Sequence, residues 1–94
     1  MLFAIHALDA PGAREKRPKV YDAHKAHLDR AGDFGVSIVM AGPLVEDDGE
    51  TPKGSLFVID GPDRAAVERF NAGDPYQAAG IWKDVAITVF LRRR

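Results

Sequence analysis

Two histidines at helical spacing are the residues of this 94-residue sequence best suited to acid–base chemistry. His24 and His27 are three positions apart, so both rings can lie on one face of a helix. An imidazole in a cleft titrates near working pH, as a general acid or base must. His27 is placed on the apolar side of the helix and is a candidate general acid or base. The alternative is that His27 is a hydrogen-bonded core residue.

Asp74 is the acid best placed to assist such a histidine. It follows Gly73 and precedes Pro75, a pattern typical of an aspartate that caps a short helix with proline at its first position. The same carboxylate could orient a histidine and stabilise its protonated form. The sequence pattern favours the cap and leaves the catalytic role open.

Metal and cofactor sites have little support in the sequence. A metal site would need His24, His27 and further ligands, with His6 the one remaining histidine. The acidic run 46–48 lacks the spaced carboxylates of a calcium loop and is interpreted as a solvated turn. No phosphate loop or nucleotide motif is present. We therefore expect neither a metal nor a cofactor.

Composition limits the partners and the compartment. The chain has 13 basic and 14 acidic side chains and a formal net charge of −1, which gives no reason to expect nucleic acid or an anionic membrane as a partner. No apolar run reaches the ~20 residues of a membrane span. Cysteine is absent, which rules out disulfides and favours a reducing, cytoplasmic location.

Hydrophobic periodicity predicts one domain, residues 1–94, with the element order βαββαβ. A proline at position 18 predicts a kink near Arg17, with the main helix following. This order predicts a ferredoxin-like α+β fold, in which an antiparallel four-stranded sheet carries both helices on one face. The predicted strands are 1–8, 36–41, 54–60 and 85–91, and the predicted helices are 13–31 and 64–72, followed by a short turn at 74–80.

Apolar residues occur at both parities of the first and second predicted strands. Such strands need cover on both faces of the sheet. Since the helices cover one face, a second copy of the chain is the simplest cover for the other. We therefore expect a homodimer with facing sheets.

The order of several short motifs resembles the YciI-like, or YCII-related, protein family. The motifs are Met1–Ile5 with Asp9, Lys25–Leu28, Ala41–Pro43, Gly54–Ser55, and Asp74–Tyr76 with Ala78–Gly80. The resemblance implies a fold of the dimeric α+β barrel type and a His–Asp pair in a pocket. In this chain the pair falls on His27 and Asp74. Many relatives carry an arginine three positions before the histidine, where this chain has His24.

The resemblance also implies a class of activity. One characterised relative removes HCl from a chlorinated hydroxyhydroquinone, and muconolactone isomerases share the barrel architecture. We therefore expect a cofactor-independent lyase or isomerase that transfers a proton on a small cyclic or enol-type molecule. The residues expected to contact this substrate are Ser55, Gly42, Pro43, Tyr76 and His24.

Two other functions remain open from the sequence. The same pocket could hold a metabolite without converting it, which would make the chain a small-molecule-binding or accessory module. The chain could also be a purely structural dimerisation unit, in which case no pocket would lie beside the candidate histidine.

Overall fold

A computed structural model describes residues 1–94 and contains the elements in the predicted order. The four strands form one antiparallel sheet in the order β2-β3-β1-β4, which confirms the ferredoxin-like α+β fold. No helix is long and apolar enough to cross a membrane. The elements are β1 (Leu2–Asp9), α1 (Ala13–Asp29), β2 (Ser37–Val45), β3 (Pro52–Asp60), α2 (Arg64–Ala72), α3 (Pro75–Ala78) and β4 (Trp82–Phe90), with a 3₁₀ turn at Ala31–Phe34.

Helix α1 is continuous from Ala13 to Asp29, so Pro18 does not interrupt it as the sequence predicted. Pro18 is the sixth residue of the helix, so it removes only the hydrogen bond that its N–H would make to the carbonyl of Arg14, beside solvent. The intact helix keeps Arg17 in register with His24, seven residues or about two turns later.

Strand β2 extends beyond the predicted end, through Gly42 and Pro43 to Val45. The sequence marks this dipeptide as a stop because both residues favour turns. Strand β2 is an edge of the sheet, where a proline without an N–H is tolerated. Gly42 and Pro43 are therefore strand residues, and they flank the cavity described below.

The acidic run closes the hairpin between β2 and β3. The Asp48 carboxylate accepts hydrogen bonds from the backbone N–H groups of Glu50 and Thr51, both at 2.9 Å, and another from the Thr51 hydroxyl. The Thr51 hydroxyl bond, followed by these backbone bonds, lowers the pKa of Asp48 from 3.8 to about 2. The turn is exposed, as the sequence predicts.

The two faces of the sheet differ in their cover. Phe3, Ile5 and Ala7 of β1 are buried beneath the helices. The alternate residues of β1 lie on the other face, where no helix packs, and four of their eight cross-strand partners are apolar. This open face includes Leu8, Met40 and Phe90, which are 40%, 55% and 44% exposed, together with His6, Leu56 and Val58.

Candidate functional site

A cavity of about 480 Å³ lies beside α1, against β2, β3 and α3. This volume is within the range of pockets that hold small organic ligands. Its walls are largely apolar, and Leu28, Phe57 and several prolines contribute to them. The polar side chains that face it from α1, β3 and α3 are Arg17, Tyr21, His24, Lys25, Ser55 and Tyr76.

His24 and Asp74 form the central polar pair of this site. His24 Nδ1 lies 2.7 Å from Asp74 Oδ1, and both residues are buried. An ionised carboxylate only accepts hydrogen bonds, so the network assigns the proton of the neutral ring to Nδ1. Nε2 has no hydrogen-bond partner in the chain, and His24 lines the cavity. This nitrogen can therefore accept a proton from a bound molecule.

Aromatic rings hold His24 in place. The ring of Tyr76 stacks on the imidazole, with centroids 3.8 Å apart and planes 4° from parallel. Phe57 and Trp82 meet the imidazole edge-on, at centroid distances of 6.2 and 6.3 Å. Burial raises the pKa of Tyr76; the charge of Arg17 opposes this and the charge of Asp74 adds to it, and the net pKa is raised, so the hydroxyl stays protonated beyond its ordinary range. The Tyr76 hydroxyl can therefore donate a hydrogen bond within the site.

His27 points elsewhere, and the prediction of a hydrogen-bonded His27–Asp74 pair is wrong. Its Nε2 donates to the backbone carbonyl of Phe70 on α2 at 2.7 Å, and its ring stacks on the Phe70 ring at 4.8 Å. His27 does not line the cavity. Successive residues turn 100° around a helix, so His24 and His27 point about 60° apart. His24 consequently faces α3 and His27 faces α2.

His6 is separate from both. It lies on the open face of the sheet, between Leu56 and Ala86 of the neighbouring strands. The buried residues Ile5 and Ala7, on either side of it in β1, point toward the helices instead. The three histidines therefore do not converge on one point.

Asp74 itself has the predicted role as a cap. It precedes Pro75 at the start of α3, and its Oδ1 accepts the backbone N–H of Tyr76 at 2.9 Å. The remaining residues predicted to contact a substrate, namely Ser55, Gly42, Pro43, Tyr76 and His24, all line the cavity. The structure thus brings together every predicted site residue except His27.

Arg17 and Asp9 form a second polar pair beside the cavity, which the sequence did not predict. Arg17 binds the Asp9 carboxylate in a bidentate manner, with two distances of 2.8 Å. Its Nη2 also donates to the Gly54 carbonyl at 2.8 Å and to Ser55 Oγ at 3.1 Å. Burial alone would lower the pKa of Arg17, but the hydrogen bond and charge of Asp9 outweigh it and the net pKa is raised. In the sequence, Asp9 follows a predicted strand and is interpreted as a turn residue. Its separation of eight residues from Arg17 is the one sequence feature that suggests the pair.

The backbone at Gly54 explains how β3 carries this arrangement. A Cβ at Gly54 would lie 2.3 Å from the Ala7 carbonyl oxygen of β1, which no side chain permits. Glycine therefore allows the close approach of the two central strands. The next residue, Ser55, is thereby fixed between Arg17 and the cavity, and its Oγ also accepts a hydrogen bond from Trp82 Nε1 at 3.2 Å.

The sequence matches known proteins over nearly its full length. The YCII-related domain model matches residues 1–91. Protein YciI from Escherichia coli O6:H1 is 33% identical over 97 residues, which cover 98% of each chain. An uncharacterised protein from Haemophilus influenzae is 32% identical with the same coverage.

Solved structures with the same fold include enzymes. The 5-chloro-2-hydroxyhydroquinone dehydrochlorinase from Burkholderia phenoliruptrix AC1100, in complex with 2,5-dihydroxybenzoquinone, superposes with a TM-score of 0.83. It is 27% identical, and the match covers 97% of this chain and 94% of the dehydrochlorinase. An antibiotic biosynthesis monooxygenase superposes with a TM-score of 0.56 at 17% identity over the whole of both chains, which reflects the fold alone. Domain match, full-length relatives and fold agree that this chain belongs to the YCII-related domain family.

Proposed function

We propose that this protein is a cofactor-independent lyase or isomerase that transfers a proton on a small cyclic or enol-type molecule. His24 is the base in this proposal, and Asp74 holds it in position. One observation carries the proposal: His24 Nδ1 is bound to a buried carboxylate at 2.7 Å, while Nε2 of the same ring has no partner and His24 lines the cavity. The base is therefore His24 and not His27.

The site has the parts that an elimination needs. His24 Nε2 takes a proton from a C–H or O–H group of the substrate, and the electrons of that bond move into the ring. For an aryl chloride such as 5-chloro-2-hydroxyhydroquinone, this proton is returned to the chlorine-bearing carbon, which gives the keto tautomer. Chloride then leaves with the electron pair of the C–Cl bond as a second hydroxyl proton is lost, so the net products are HCl and a quinone. Asp74 stabilises the positive charge that His24 acquires. Hydroxyls such as Ser55 and Tyr76 can hold the substrate oxygen on which negative charge develops.

The size of the cavity and the comparisons support a ring-shaped substrate. A volume of about 480 Å³ accommodates a single substituted ring, and Phe57 and Tyr76 offer aromatic surface to it. The dehydrochlorinase with a TM-score of 0.83 was solved with 2,5-dihydroxybenzoquinone, a molecule of this size.

The test is chloride release from 5-chloro-2-hydroxyhydroquinone and from a panel of halogenated and enol-type rings. Wild-type protein is expected to turn over at least one member, and His24→Gln is expected to lose about 10²–10⁴-fold in rate, the usual contribution of a general base. Unchanged turnover in His24→Gln would contradict the proposal. Saturable binding with no product across the panel would favour a non-catalytic binding module instead.

We also propose that the active form is a homodimer in which two open faces pack together. Leu8, Met40 and Phe90 expose large apolar side chains on this face, and a second copy would bury them. Light scattering after size exclusion should give twice the chain mass. Met40→Glu should reduce this to one chain mass, while Lys19→Glu, on the exposed side of α1, should not. A wild-type monomer at micromolar concentration would overturn the proposal.

A further inference from the structure

Ser55 receives two hydrogen bonds and donates none within the chain. Its Oγ accepts from Arg17 Nη2 at 3.1 Å and from Trp82 Nε1 at 3.2 Å. The side chain is 4% exposed and lines the cavity. A serine hydroxyl has two acceptor lone pairs and one proton. Nη2 of Arg17 has two protons and also bonds Asp9 and the Gly54 carbonyl at 2.8 Å, so the proton that it directs at Ser55 is shared. Both lone pairs of Ser55 therefore face donors, and the hydroxyl proton has no acceptor in the chain.

We infer that Ser55 acts toward a ligand as a hydrogen-bond donor. It thereby selects substrates that present an oxygen without a proton, such as a ketone, enolate, phenolate or carboxylate oxygen. Its hydroxyl is a poor acceptor for a ligand, because Arg17 and Trp82 already direct N–H groups at its lone pairs. This inference rests on the proposed function and deepens it, since it names the group that the substrate places at Ser55 while its acidic proton faces His24.

Arg17 and Asp9 are positioning residues in this arrangement. The Asp9 carboxylate holds Arg17 by two hydrogen bonds of 2.8 Å and neutralises its charge. Nη2 of Arg17 is thereby fixed against Gly54 and Ser55. Nη1 of Arg17 has no partner in the chain and Arg17 lines the cavity, so its role through Ser55 is tested with its charge unchanged. Arg17 acts through Ser55, by fixing the direction in which the hydroxyl donates.

Benzoate and benzamidine test this inference as a matched pair of probes. The two molecules have the same ring and nearly the same shape, but the carboxylate only accepts hydrogen bonds and the amidinium only donates them. Trp82 is the sole tryptophan of the chain, so its indole N–H gives a single NMR cross-peak. When Ser55 donates to a ligand, its oxygen becomes a stronger acceptor and the indole N–H bond is polarised further.

Benzoate is expected to move the indole peak downfield, and benzamidine is expected not to. Ser55→Ala should weaken benzoate binding about tenfold, as the loss of a hydrogen bond to a charged group does, and should leave benzamidine binding unchanged. The charges of Arg17 and Lys25 beside the cavity are the same in wild type and in Ser55→Ala, so they cancel from this comparison. Trp82→Phe should strengthen benzamidine binding, because it frees a lone pair of Ser55.

Three results would each overturn the inference. These are equal shifts of the indole peak with both probes, equal benzoate affinity in wild type and Ser55→Ala, and no benzoate binding at tens of millimolar. The wild-type spectra decide the question even if Trp82→Phe does not fold. The proposed reaction is judged separately by chloride release, so the donor role of Ser55 and the catalytic role of His24 can fail independently.

Discussion

Oδ1 of Asp74 accepts a hydrogen bond from His24 Nδ1 at 2.7 Å and another from the backbone N–H of Tyr76 at 2.9 Å. One oxygen atom therefore both caps α3 and orients His24. The cap ties the carboxylate to the backbone, so its position relative to His24 does not depend on a freely rotating side chain. The two roles that the sequence offered as alternatives for Asp74 are compatible, and their contributions can be separated by mutation.

Asp74→Asn should separate the cap from the charge. Asparagine caps helices about as well as aspartate, so the free energy of unfolding should change by less than about 1 kcal/mol. The neutral amide cannot stabilise a positive charge on His24, so turnover should fall about 10²–10⁴-fold. Denaturant unfolding and chloride release measure the two effects, and wild-type turnover in Asp74→Asn would contradict the role of the charge.

Asp74→Ala is the companion variant. It removes the cap and leaves His24 Nδ1 and the Tyr76 N–H without an acceptor in a buried site. These losses should lower the free energy of unfolding by about 2–4 kcal/mol. If Asp74→Ala is as stable as Asp74→Asn, the buried hydrogen bonds of this carboxylate do not stabilise the fold.

His27 should behave as a structural residue. His27→Ala removes the hydrogen bond to the Phe70 carbonyl and the stacking on the Phe70 ring, and should lower the free energy of unfolding by about 1–3 kcal/mol. Turnover per folded molecule should remain within a few-fold of wild type, because His27 is outside the cavity. A loss of turnover as large as that of His24→Gln would show that His27 takes part in the reaction.

The difference between the two histidines marks what the sequence can and cannot predict here. Periodicity places both His24 and His27 on the buried side of α1, and that prediction is sufficient for the fold. The choice between them depends on which helix packs at each side of α1, and that is tertiary information. The predicted residue, His27, lies three positions after His24 and points about 60° away from it, toward α2 rather than α3.

The Arg17–Asp9 pair could not be predicted from the sequence for a related reason. Asp9 ends β1 and Arg17 lies in the second turn of α1, so their contact depends on how the connection at Gly12 turns the chain. Gly12 adopts a φ of +81°, which glycine tolerates and most residues do not. By contrast, Ser55 and Tyr76, which were expected to contact a substrate, both line the cavity.

Tyr76 should make the protein less stable at alkaline pH. Burial, together with the charge of Asp74, raises the pKa of its hydroxyl above the ordinary value of 10.0. Between pH 10.0 and the higher pKa of Tyr76 in the folded protein, the native state binds more protons than the unfolded chain. The free energy of unfolding therefore falls as pH rises through this range. Below pH 10 this contribution is fully present.

Tyr76→Phe removes that ionisation and keeps the ring that stacks on His24. Urea unfolding at pH 8 and at pH 10.5 should therefore show a smaller loss of stability in Tyr76→Phe than in wild type. Parallel losses in the two proteins would mean that the folded environment of Tyr76 does not disfavour its anion.

Gly54 should be the glycine whose replacement the fold tolerates least. A Cβ there would lie 2.3 Å from the Ala7 carbonyl oxygen, so Gly54→Ala must push β1 and β3 apart. Overpacking of this kind costs about 1–3 kcal/mol, and it also displaces the carbonyl that accepts from Arg17. Gly42 is the matched control, since it is also a strand residue, on the neighbouring strand β2, but has open space around its Cβ position. Gly42→Ala should change the free energy of unfolding by less than about 0.5 kcal/mol. Equal thermal stability of the two variants would show that the close approach of the central strands is not what requires glycine at position 54.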